Sequence, residues 1–104
     1  MPAINRGEVW MIDFGIVAKV RPALLVTGPP ADDELDIVTV LLHTTSLRGN
    51  RWELVNSKPF LRPGAFHLQQ IQTVSTVKLE RKLGTLTTAE MKQVSDALAR
   101  RLTF

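Results

Sequence analysis

The chain has no cysteine in 104 residues, which excludes disulfides and every thiolate metal centre. It has no apolar run of roughly 18 residues, the length needed to cross a bilayer. Its start lacks the basic patch and apolar core of a secretion signal, so a cytoplasmic protein is expected. There is no glycine-rich phosphate loop, no Gly-x-Ser-x-Gly elbow and no zinc-type histidine spacing, which leaves nucleotide hydrolysis and serine hydrolysis without residues to carry them. The acids between Asp32 and Asp36 lack the alternating ligands and glycine of a calcium loop. Glu8 and Asp13 lie on one expected strand at opposite parity and face opposite ways, so no metal site is expected. Only His43 and His67 titrate near neutrality unaided.

Against these absences stands an ordinary globular composition, 44% hydrophobic and 22% charged. The length suits one core, hence a single domain over residues 1–104. Charge is unevenly spread. Residues 1–47 carry six acids against three bases, and residues 48–104 carry ten bases against four acids. A basic half of this kind suits nucleic acid or an acidic protein segment, and it equally suits a solvated rim around a core.

The sequence pattern predicts strands first and a helix last. Glu8 to Phe14 is rich in β-forming residues and stops at Gly15, with Trp10 in the core. A short link leads to Arg21-Pro22 and the apolar run Ala23-Leu24-Leu25-Val26, a strand covered on both faces that ends at Gly28-Pro29-Pro30. An exposed acidic loop follows, then a third strand from Ile37 to Leu42. Arg48-Gly49-Asn50-Arg51 reads as a turn, Trp52 to Val55 as a short strand, and Asn56 to Gly64 as a loop. His67 to Thr73 is a strand with glutamines at 69, 70 and 72 where aliphatics are usual, which hints at a polar role. Thr76 to Leu83 is basic and ends at Gly84. Thr87-Thr88-Ala89-Glu90 is a capping box for a helix with Met91, Val94, Leu98 and Leu102 on one face. Short strands followed by one helix favour a small antiparallel barrel plugged by that helix.

The candidate site lies where two strands end. Proline biases the residue before it toward extended backbone, so Arg21 is aimed more firmly than a surface arginine, and an aimed guanidinium suits phosphate. His43-Thr44-Thr45-Ser46 follows the third strand and meets Arg21 if the two strands are neighbours. Alternation puts His43 on the face away from Thr44, which disfavours a site built on two histidines. A strand-end arginine in a local ion pair remains the alternative.

Taken in order, Arg6-Gly7-Glu8-Val9-Trp10, Arg21-Pro22-Ala23-Leu24-Leu25-Val26, Thr44-Thr45-Ser46, Gln70-Ile71-Gln72-Thr73 and the terminal helix closely resemble the MazF/PemK toxins of bacterial toxin-antitoxin systems. The likeness runs nearly end to end. It implies an SH3-like antiparallel β-barrel of the MazF/CcdB type, a homodimer, and an endoribonuclease that cleaves single-stranded RNA at short sequences without a metal or other cofactor. It also implies a cognate acidic MazE-like antitoxin whose tail covers the cleft. The family's catalytic arginine before proline falls on Arg21 and its catalytic threonine on Thr44, with Thr45 selected by a one-residue slip. The family's Asp/Glu-Gln-Ile-Arg/Lys-Thr stretch is here Gln69-Gln70-Ile71-Gln72-Thr73, so an acid and a base are both replaced by glutamine. The link from Gly15 to Val20 is shorter than the family's usual first loop.

In RNA the neighbouring 2′-hydroxyl is the nucleophile, so the protein has to align it and stabilise charge on the phosphate oxygens. Arg21 can offer its fork to those oxygens and Thr44 a hydroxyl. Arginine is a poor base, which leaves His43, His67 or water to take the 2′-proton. Lys19, Arg48, Arg51 and Gln70 are expected to hold the strand. Two rivals use the same barrel without the chemistry: a CcdB-like toxin that binds DNA gyrase, and an inactive barrel that binds nucleic acid through its basic half.

Overall fold

The computed structural model describes residues 3–16 and 19–103, so the link expected between the first two strands lies partly outside the described residues. The elements run β1 (Glu8–Asp13), β2 (Val20–Leu25), β3 (Ile37–Thr44), β4 (Glu53–Leu54), β5 (Ala65–Ser75), β6 (Leu79–Thr85) and α1 (Thr88–Leu102), with a 3-10 turn at Thr76–Lys78 before β6. The pairings are all antiparallel, in the order β4-β5-β3-β2-β1-β6. This is the expected mainly β fold with a C-terminal helix. Among the described residues β4 and β6 remain edges, so the sheet curls in barrel fashion without closing.

Alternation along the strands builds two cores. Trp10, Ile12, Ala23, Leu25, Val40 and Leu42 pack on one face of the sheet. Val9, Leu24, Leu41, Phe66 and Leu68 point the other way and meet Met91, Val94 and Ala97 of α1. Consecutive apolar residues in β2 and β3 therefore serve both faces, which is why neither strand reads as half-polar. Single-residue shifts between β1 and β6 add twist and help the sheet curl. Glu8 is buried at the start of β1. Burial acts to raise its pKa, but hydrogen bonds from Trp10 Nε1, the Asn5 amide and Lys82 Nζ outweigh it and hold the carboxyl below its ordinary range.

Several boundaries depart from the sequence reading. β3 runs on to Thr44, because its last residues still pair with β5 at Phe66 and Ala65. The strand expected over Trp52 to Val55 shrinks to Glu53–Leu54. Gly84 lies inside β6 and ends nothing: a Cβ there would overlap the Phe60 ring, so glycine admits the 56–64 loop against the sheet. Lys58 ties that loop to Glu90 at 2.6 Å, and Glu90 also accepts from the Thr87 amide in the capping box. On α1 the buried stripe is Met91, Val94 and Ala97, while Leu102 is 48% exposed. Its neighbour Arg101 instead lies over the Trp52 ring, 5.2 Å from its centroid.

Candidate active site

Ala23 pairs with Leu42, and continuing that register sets Pro22 opposite His43 and Arg21 opposite Thr44. The ladder does not continue. Pro22 has no amide hydrogen to offer β3, and the His43 carbonyl accepts instead from Arg21 Nη2 at 3.2 Å. The proline thus opens the two strand tips, and the guanidinium bridges them. Arg21 shares parity with Ala23 and Leu25, as Thr44 does with Leu42, so both extend one apolar stripe at its polar end.

Gly64 fixes how close the next segment comes. A Cβ on it would overlap the Thr44 carbonyl, with His43 Cε1 at 2.9 Å, so only glycine lets this turn pass behind the tip of β3.

The longest strand supplies the third side. Leu41 faces Ile71, and a continuing register would bring His43 opposite Gln69, yet it faces Phe66, a slip of three residues. That irregularity carries His67, Gln69 and Gln70 and swings them to the end of the sheet. His67 is buried and its Nδ1 accepts from the Gln69 amide at 3.1 Å, so the neutral ring carries its proton on Nε2.

Two cavities result, with Arg21 in the wall of both. One, of about 680 Å³, is lined by Arg21, Thr44, Arg48, His67, Gln69 and Gln70. The other, of about 520 Å³, holds Arg21 with His43, Thr45, Phe60, Arg62 and Arg81. Arg21 and Thr44 thus both line the first cavity, together with Arg48, His67 and Gln70. Thr45 and His43 open onto the second. The two histidines do not share a cavity, as alternation implied.

Arg48 is placed by its backbone. Glu53 Oε2 accepts from the Arg48 amide at 2.6 Å and Oε1 from the Gly49 amide at 2.8 Å, and these bonds, the Arg48 one foremost, hold the Glu53 carboxyl below its ordinary pKa despite some desolvation. Asn50 Nδ2 then reaches Gln69 Oε1 at 3.3 Å. Arg51 lines neither cavity and stacks on the Trp52 ring at 4.4 Å. Lys19 also lines neither, being exposed at a positive φ of 57° with its amide bonded to the Gly15 carbonyl.

His43 is buried and packs edge-on against Phe66. Burial, and after it the positive charge of Arg21, depress its pKa below 6.5 and favour the neutral ring. Sequence reasoning missed Phe60, Arg62 and Arg81. The surplus of bases after residue 47 was a signal for the two arginines and not for Phe60, because the approach of the 56–64 loop to β6 is set by Gly84. Among the described residues no three of His, Asp and Glu gather closely enough to hold a metal ion, and no helix is long and apolar enough to cross a membrane.

Known proteins resemble this chain in sequence and in fold. A probable endoribonuclease MazF5 of Mycobacterium tuberculosis is 31% identical over 96 residues, 89% of this chain and 87% of that protein. The solved structure of an endoribonuclease from a mycobacterial species, in complex with its cognate antitoxin, superposes with a TM-score of 0.80 at 25% identity, over 100% of this chain and 97% of that one. A MazE-MazF structure from Deinococcus radiodurans gives 0.82 at 13% identity over the full length of both chains, a likeness that speaks to the fold alone. The model of PemK-like, MazF-like toxins of type II toxin-antitoxin systems matches residues 5–102, and the chain belongs to that family.

Proposed function

We propose that this toxin is an endoribonuclease that cleaves single-stranded RNA, with Arg21 and Thr44 gripping the scissile phosphodiester. The observation that supports this reading is their place in one cavity at the open tip of β2 and β3, beside Arg48, His67 and Gln70. The guanidinium, oriented by the His43 carbonyl, keeps further N–H donors for the non-bridging oxygens. Thr44 Oγ1 accepts from the Ser46 amide at 3.0 Å, which leaves its proton free to donate to the same phosphate.

The 2′-oxygen attacks phosphorus, the bond to the 5′-oxygen breaks, that oxygen takes up a proton from water, and the products are a 2′,3′-cyclic phosphate and a 5′-hydroxyl. His43, kept neutral by burial and by Arg21, takes the 2′-proton. His67 offers Nε2–H toward the first cavity as a hydrogen-bond donor. The whole chain acts as one cytoplasmic domain, pairs as a homodimer, and is silenced by an acidic antitoxin. Incubating the pure protein with mixed RNA in EDTA should give discrete fragments with cyclic phosphate ends. RNA left intact by folded protein would turn the reading to a gyrase-binding toxin or a non-catalytic barrel.

A further inference from the structure

We propose that the cavity on the far side of Arg21 from Thr44 is a nucleoside subsite, which takes the base 5′ of the scissile phosphate while Arg62 and Arg81 hold the phosphate next to it. The inference rests on the ribonuclease reading above and deepens it. The cavity measures about 520 Å³ and combines apolar walls, Phe60 and Leu83 among them, with three arginines and no carboxylate. A base needs an apolar face to lie on, and the phosphate it carries needs a cation within reach. An acidic peptide would use the cations but leave the aromatic wall idle.

The wall is built in advance. Phe60 lies against Gly84 so closely that no side chain fits there, and the Lys58–Glu90 pair fastens its loop to the start of α1. Arg62 and Arg81 are exposed and come from separate elements, so neither serves the core. The polarity of the strand follows from His43. The attacking 2′-hydroxyl belongs to the nucleoside 5′ of the scissile phosphate, and His43, which accepts its proton, lines this cavity and not the other. The amides of Gln69 and Gln70 then face the 3′ nucleoside.

The test uses Arg62→Gln and Arg81→Gln proteins with melting curves like the wild type. It measures their cleavage of an oligoribonucleotide carrying a mapped cut site, and their affinity for mixed RNA. Each variant should raise KM about tenfold at nearly unchanged kcat. Each should also lower the slope of log Kd against log salt by roughly 0.7, as for one phosphate contact on a single strand. An abasic residue 5′ of the cut should reduce wild-type kcat/KM about tenfold or more. Wild-type KM and salt slope in both variants would overturn the proposal, as would an abasic effect confined to the 3′ side. So would weakened binding of a glutamate-rich peptide with RNA kinetics intact. A wild-type protein that cuts nothing would sink the ribonuclease reading instead, while the affinity and salt slope for mixed RNA would still report on the subsite.

Discussion

Replacing Arg21 by alanine separates the chemical role of this side chain from its structural one. Among the described residues the Arg21 side chain makes one charged hydrogen bond, to the His43 carbonyl at 3.2 Å, and it is only half-buried. Such a bond contributes about 1–2 kcal/mol after allowance for solvent. For a chain of 104 residues that loss lowers the melting temperature by about 5–10 °C. The chemical loss is far larger. Removing one donor from a developing oxyanion costs about 10²–10³ in rate, and Arg21 supplies a full charge and a fork, so about 10³ or more is expected. Arg21→Lys keeps the charge without the fork and should recover about tenfold over alanine. Single-turnover cleavage in EDTA, with circular-dichroism melting on the same samples, reads both quantities. A folded Arg21→Ala protein that cuts within tenfold of the wild type would refute the assignment.

Gly64→Ala should destabilise by about 1–3 kcal/mol and depress cleavage together, since the new methyl meets the Thr44 carbonyl backbone and cannot be relieved by a rotamer; unfolding midpoints and rates like the wild type would count against that contact. His43 supplies a pH signature. Its folded pKa lies below 6.5, so the unfolded chain binds the extra proton, and the related stability is present above about pH 6.5 and lost as pH falls through the window beneath it. The charged groups that line its cavity are Arg21 from β2, Arg62 from the 56–64 loop and Arg81 from β6. Denaturant midpoints at pH 7.5 and 5 should therefore diverge more in the wild type than in His43→Gln, and equal divergence would contradict the burial argument. Thr87→Ala removes a capping box with both halves formed and should cost about 1 kcal/mol in a melt, with cleavage untouched.

Local patterns settled much of this molecule. Apolar runs of both parities marked β2 and β3 as strands covered twice, Thr87 to Glu90 marked the start of the helix, and Arg21-Pro22 with Thr44 marked the tip where the polar ends gather. These features depend on neighbours a few residues apart, whose sterics and periodicity act before the chain folds. Nothing local announced the three-residue slip in β5 that swings His67 and Gln70 into the cavity, the stacking of Arg51 and Arg101 on Trp52, or the second cavity of Phe60, Arg62 and Arg81. Those arrangements arise between segments tens of residues apart. Gly64 and Gly84 permit them by offering no Cβ, a purpose that becomes visible only when the opposing backbone or ring is in place.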